Sequence, residues 1–263
     1  MSSNQEKIVG FYSNYEEEGR ATESRARSLE FHYTKKLLHE FITADTNVVE
    51  VGCGTGYYGM YFSGFCTHYT GIDLSPHNIS VFKEKISAEG KTNIHAAIGD
   101  ATNLNDLPND SFDVVLCLGP MYHLPRVERL KAFDECYRIA RADAIVAFSY
   151  INRLGVYAAA CLDDKWRDEY ASVEADKFIL EHSTLEALQG AFYFTSPEEM
   201  EYDAKQKNLK VIKNCGLDYL FAQGAINAMR EETFALYMKL ADKMVDSPSC
   251  TGLSDHALMI CRK

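Results

Sequence analysis

Cationic charge is scarce in this 263-residue sequence: 27 lysines and arginines stand against 38 aspartates and glutamates, a formal net charge of −11. Proteins that grip nucleic-acid phosphates need a cationic face, because release of counterions drives that binding. The overall field here repels polyanions and anionic membranes, so no nucleic-acid or membrane partner is expected. Long apolar runs are also missing. Nothing approaches the roughly 18 apolar residues of a membrane span, and the opening MSSNQEKIVGFYSNYEEEG is polar and acidic, unlike a secretory leader. Paired cysteines are lacking too. The eight cysteines stand at 53, 66, 117, 136, 161, 215, 250 and 261, with no Cys-x-x-Cys. They read as reduced, mostly buried thiols of a cytoplasmic protein, and without paired ligands no metal site is expected. No internal repeat or low-complexity stretch occurs.

What is there suffices for a sizeable core. Apolar residues make up 46% and charged residues 25%, the ordinary globular balance, and the length suits one large domain or a core with inserted pieces. Apolar residues at Leu29, Tyr33, Leu37, Leu38 and Phe41 predict a helix over 25–41. Short apolar runs at 47–51, 68–74, 93–98, 112–118 and 144–150 predict five strands. Helical segments at 57–65, 76–89 and 127–139 lie between them, the second opened by Ser75-Pro76, a cap residue followed by proline at the first helical position. Strand and helix alternating in this way predict an α/β fold: a Rossmann-like, doubly wound, mostly parallel seven-stranded sheet with helices on both faces. Beyond residue 150, a helix opens at Ser196-Pro197-Glu198-Glu199. A sixth strand is expected at 217–221, a helix over 226–245 and a last strand at 256–261. The expected organisation is an N-terminal helical lid over 1–40, a core over 41–150, an inserted cap over 151–196, and a C-terminal part of the core over 197–263 with a helical insertion at about 226–247.

The most informative segment is Val48-Val49-Glu50-Val51-Gly52-Cys53-Gly54-Thr55-Gly56. A strand bearing an acid turns through three glycines into a helix. Glycine permits backbone angles that side chains forbid and lets a ligand lie against the main chain, and the helix beyond offers free N–H groups and a positive dipole end. Two cofactor classes use such a bend. Dinucleotides place a pyrophosphate there; S-adenosylmethionine (SAM) has no phosphate and lays its aminoacyl carboxylate and adenosine near it. Residues 54–59, Gly-Thr-Gly-Tyr-Tyr-Gly, also satisfy the dinucleotide pattern Gly-x-Gly-x-x-Gly. A nicotinamide-dependent oxidoreductase is therefore one alternative, although no Tyr-x-x-x-Lys hydride-side set is evident. A non-catalytic SAM-binding protein is another.

VVEVGCGTG resembles the first motif of class I SAM-dependent methyltransferases. Three further segments agree with that family in order and spacing: Gly71-Ile72-Asp73-Leu74-Ser75, Gly99-Asp100-Ala101 and Phe112-Asp113-Val114-Val115. The resemblance covers about residues 45–150. It implies SAM as cofactor, S-adenosylhomocysteine as product and a small-molecule acceptor whose identity and acceptor atom are not given. It also implies roles for individual residues. Glu50, Gly52 and Gly54 would floor the site, Asp73 would take the ribose diol, and Leu74 would pack on the adenine. Asp100 and Ala101 would flank the adenine edge, and Leu118 would lie beneath the methionine part. The family's usual Pro-Gly-Gly turn before the fifth strand is replaced by Arg141-Ala142-Asp143-Ala144.

Leu118-Gly119-Pro120-Met121-Tyr122-His123-Leu124 follows the fourth strand and resembles the LGPLYHL segment of a bacterial subgroup of small-molecule methyltransferases. The resemblance turns Tyr122 and His123 towards the transferred methyl group. His123, with an unperturbed pKa near neutrality, is the candidate base; an alternative role is anchoring the loop or touching the cofactor. Tyr122 is the candidate for shaping the pocket or for contacting the positive methyl centre through its ring or oxygen. In related methyltransferases a tyrosine-rich N-terminal segment closes over SAM, a role that Tyr12, Tyr15 and Arg20 suit. Arg20 would pair with the aminoacyl carboxylate, with Arg27 a competing candidate. Trp166, Phe192, Tyr193, Phe194, Phe234 and Tyr237 are candidates for an enclosed, partly aromatic acceptor pocket. The assembly is expected to be a monomer or a homodimer.

Overall fold

The computed structural model describes residues 3–14, 19–162, 192–218 and 223–263. Seven strands form one sheet in the order β3-β2-β1-β4-β5-β7-β6. They are β1 (Asn47–Val51), β2 (His68–Asp73), β3 (Ile94–Ile98), β4 (Phe112–Cys117), β5 (Ala140–Ile151), β6 (Lys210–Gly216) and β7 (His256–Arg262). β1 pairs in parallel with β2 and β4, as do β2 with β3 and β4 with β5; β7 runs antiparallel between β5 and β6. Strand order reverses between β1 and β4. In an open parallel sheet that is the place where a crevice opens at the carboxyl ends of the strands.

Alternation along β1 divides the core into two layers. Val48 packs with Leu29 and Leu38 of α2 (Arg25–Leu38) and with Tyr58 and Phe62 of α3 (Tyr57–Phe62). Val49 and Val51 face the other way, towards Ala132, Phe133 and Cys136 of α5 (Arg126–Ile139). Met200 and Ala204 of α7 (Pro197–Gln206) close that second layer. Caps set several helix starts. Ser75 accepts from the Asn78 N–H at 3.3 Å and Pro76 opens α4 (Pro76–Ala88). Ser196 accepts from the Glu199 N–H at 3.3 Å ahead of Pro197. Helix α1 (Ser3–Asn14) precedes all of these, and α6 (Arg153–Leu162) follows β5. Six cysteines are buried, and all eight thiols are free.

Three expectations are corrected. The sixth strand lies at Lys210–Gly216, not at 217–221. After Gly216 the chain leaves the sheet as Asp218 turns inward to accept from the Ser254 hydroxyl at 2.6 Å and the Asp255 N–H at 3.0 Å; residues 219–221 lie outside the described residues. The long helix over 226–245 is two helices, α8 (Gln223–Ala228) and α9 (Glu231–Val245), parted at Met229-Arg230. The turn at 141–144 is a bulge inside β5: Phe112 pairs with Ala140 but Val114 with Ile145, and Asp143 absorbs the extra chain at φ +63°.

Candidate functional site

At the carboxyl edge of the sheet lies a cavity of about 230 Å³. Arg20, Glu50, Gly52, Gly54, Asp73, Leu74, Asp100, Ala101, Leu118, Tyr122 and His123 all line it. Tyr12 lines it as well, whereas Tyr15 and Trp166 lie outside the described residues. Arg27 is not among the lining residues and pairs with Glu23 at 3.1 Å.

The bend after β1 takes its shape from glycine. Gly52, at φ +80°, lies so close to the loop after β4 that a Cβ would come within 2.4 Å of the Pro120 ring. Gly56, at φ +85°, leaves space that a Cβ would take from the Phe82 ring, at 2.0 Å. The first contact joins two loops that line the cavity, and the second seats the bend on α4.

Carboxylates surround this cradle. Asp73, at the end of β2, accepts the Gly54 N–H at 2.9 Å, the Ser75 N–H at 2.8 Å and the Asn78 side-chain amide at 3.3 Å. Burial raises its pKa, and those three donors oppose the rise. Glu50 is 1% exposed and accepts the Tyr69 hydroxyl at 2.6 Å. Burial pushes its pKa up to about 8, with the Tyr69 hydrogen bond opposing and the Asp73 charge adding. Asp100 accepts the N–H and hydroxyl of Thr102, each at 2.8 Å, and the Gln5 side-chain amide at 2.5 Å. Asp100 thus caps its own turn while lining the cavity.

The loop after β4 and helix α1 meet at His123. Gly119, at φ +151°, leads into a single 3-10 turn over Pro120–Tyr122 that presents Tyr122 and His123 to the cavity. Tyr12 Oη lies 2.8 Å from His123 Nε2, and the Asn4 amide donates to the His123 carbonyl at 3.1 Å. Of the expected pocket aromatics, Phe192 packs 4.9 Å from His123 and 5.3 Å from Phe11, ring centre to ring centre. The Tyr193 N–H donates to the Tyr122 carbonyl at 2.8 Å. Phe194 is buried in the same small cluster as Tyr122. Phe234 and Tyr237 lie elsewhere, on α9, packed against the core layer that holds α2.

Several lining residues carry no signal in the sequence. Glu30, Phe31 and Thr34 come from α2 and Asn78 and Lys85 from α4. The Lys85 ammonium donates to the Thr55 carbonyl at 3.0 Å, pinning the glycine bend from outside. Asn78 and Lys85 lie seven residues apart, two turns along one helix face, which is the one pattern that could have suggested them.

Comparison with known proteins gives this arrangement a class. The chain matches the methyltransferase-domain family over residues 48–143. It is 30% identical over 114 residues to a demethylmenaquinone methyltransferase of Leptospira interrogans, a stretch covering 42% of this chain and 44% of that protein. It is likewise 30% identical over 111 residues to a ubiquinone biosynthesis O-methyltransferase of Aromatoleum aromaticum, covering 42% and 46%. The chain thus spans less than half the length of these curated relatives. In fold it is similar to a SAM-dependent methyltransferase of Mesorhizobium loti, with a TM-score of 0.59, 13% identity, and 90% of this chain and 100% of that one covered. The architecture is that of the class I SAM-dependent methyltransferases. The glycine bend, the acids at the strand ends and the His123 loop all lie within residues 48–143, the stretch that matches the methyltransferase-domain family.

Proposed function

We propose that this protein transfers a methyl group from SAM to a small organic acceptor, releasing S-adenosylhomocysteine. One observation carries the reading: eleven residues chosen from four separate sequence segments and the N-terminal arm line a single cavity at the switch point of the sheet. The cradle fits the cofactor. Gly52 and Gly54 line the cavity with bare main chain, and Asp73 has the type and place to accept ribose hydroxyls. Leu74 and Ala101 supply apolar walls for an adenine ring, and Asp100 an acceptor for its amino group. Glu50 places a carboxyl beneath the site. When bound, SAM supplies a methyl on a sulfonium sulfur that leaves as a neutral thioether.

The chain's own work is to align, enclose and handle a proton. Tyr122 and His123 stand on a stiff turn at the cavity wall. His123 is the candidate to take a proton from an acceptor that carries one, with Tyr12 fixing its ring through Nε2. Helix α1 acts as the lid: Gln5 reaches Asp100, and Asn4 and Tyr12 reach His123. The acceptor enters beside the rings of Phe11, Tyr12, Tyr122 and Phe192. The net charge of −11 favours a small molecule over nucleic acid. Among the described residues no helix is long and apolar enough to cross a membrane, and we place the protein in the cytoplasm as a monomer or homodimer.

Calorimetric titration tests the reading. Binding of SAM and S-adenosylhomocysteine with no binding of NAD is expected. Preference for NAD would overturn the assignment and point to hydride transfer.

A further inference from the structure

A line of alternating charges runs from the start of β7 to the cavity wall. Asp218 is fixed by three donors: the Ser254 hydroxyl at 2.6 Å and the N–H groups of Asp255 at 3.0 Å and His256 at 3.2 Å. Its other oxygen lies 2.7 Å from His256 Nδ1. On the far side of that ring, His256 Nε2 is 3.8 Å from Glu30 Oε2 and 3.5 Å from Arg20 Nη2. Arg20 Nη2 donates to Glu30 Oε2 at 2.7 Å. Arg20 and Glu30 both line the cavity, whereas His256 and Asp218 stand behind them.

Arg20 needs this support. It opens a 3-10 turn of three residues, preceded by Gly19 at φ +87°, and so short an element fixes a long side chain poorly. The Phe31 ring lies 5.4 Å beneath its guanidinium, and Glu30 supplies the charge partner. His256 is set among acids. Burial by itself would lower its pKa, but the carboxylates of Glu30, Asp255 and Asp218 outweigh burial and push it up to about 10. Among the described residues, the charged groups facing the ring are those three acids and Arg20. Glu30 therefore lies between the Arg20 guanidinium and the His256 ring.

Resting on the assignment of the cavity to SAM, we propose that Arg20 and Glu30 form a matched pair for the zwitterionic amino-acid end of the cofactor, with His256 as the positioning residue that holds them. The guanidinium takes the carboxylate, and the Glu30 carboxylate takes the α-ammonium. His256, anchored by Asp218, sets the place of Glu30 and through it that of Arg20.

Two ligands separate this role from general support of the fold. S-adenosylhomocysteine carries the amino-acid end; 5′-methylthioadenosine has the same adenosine and a thioether sulfur without it. Calorimetry on the wild type, His256→Gln and Glu30→Gln is expected to show S-adenosylhomocysteine binding weakened about tenfold in each variant, the scale of one lost charge-assisted contact. Binding of 5′-methylthioadenosine is expected to stay within about twofold of wild type in both. Parallel weakening of both ligands, or no change in either, would overturn the inference. Should His256→Gln fail to fold in a melting scan, Glu30→Gln decides alone, and unchanged S-adenosylhomocysteine affinity there overturns it. A wild type that binds neither ligand would instead sink the SAM assignment and this inference with it.

Discussion

Gly54 donates its main-chain N–H to the Asp73 carboxylate at 2.9 Å, tying the bend after β1 to the end of β2. Asp73 therefore holds the cradle as well as lining it. Asp73→Ala removes the acceptor for Gly54, Ser75 and Asn78 together with the candidate ribose contact. S-adenosylhomocysteine affinity should fall by more than about tenfold, from loss of a charge-assisted contact. Titration calorimetry reads this directly, and an unchanged affinity would remove Asp73 from the site.

Gly56 has both a left-handed backbone, at φ +85°, and no room for a side chain. Gly56→Ala demands a left-handed conformation of an L-residue and drives a methyl into Phe82, which is fully buried. The strain and overpacking should cost about 2–4 kcal/mol of unfolding free energy. Denaturant unfolding measures it, and a loss below about 1 kcal/mol would show that α4 yields easily.

Glu50 makes stability depend on pH. Its folded pKa is raised from 4.5 to about 8. Below 4.5 both folded and unfolded states hold the proton and nothing is lost. Between 4.5 and 8 the folded state keeps a proton that the unfolded state releases, so this carboxyl's contribution to stability falls as pH rises through that window. Glu50→Gln lacks the effect. Unfolding curves from pH 5 to 8 should show the variant gaining on the wild type as pH rises. A cation above the site favours the ionised carboxyl, so SAM affinity should rise over the same range in the wild type and stay flat in the variant. Parallel pH profiles for the two proteins would refute the coupling.

The contact between Tyr12 and His123 joins α1 to the loop after β4. Tyr12→Phe keeps the ring and deletes the hydroxyl. Loss of one hydrogen bond of about 1 kcal/mol should speed hydrogen exchange of the α1 amides about fivefold while leaving β1 and β4 unchanged. Unchanged exchange across Ser3–Asn14 would show that α1 is held by its other contacts.

Much of the core was legible because its signals are local. Five strands with a glycine bend after the first and acids at two strand ends are written within about a hundred consecutive residues, and the structure gathers those ends at one edge. What stayed illegible is long-range. Gln5 meets Asp100, Tyr12 meets His123 and Arg20 approaches His256, pairs separated by 95 to 236 positions with nothing local to announce them. Glu30 stands on α2 with nothing in its local sequence to mark it as part of the site. β6 was misplaced because it is an edge strand whose Lys210 and Lys213 interrupt an apolar pattern, whereas the more apolar stretch that follows begins with Leu217 buried and Asp218 turned into a cap.

The most direct measurement is a crystal structure with S-adenosylhomocysteine bound. The account predicts the ribose hydroxyls within hydrogen-bond reach of Asp73, the adenine edge against Asp100 and Ala101, and the amino-acid end at Gly52 beside Arg20 and Glu30. Density for the ligand in some other place, or a cradle that excludes it at saturating concentration, would contradict the central claim.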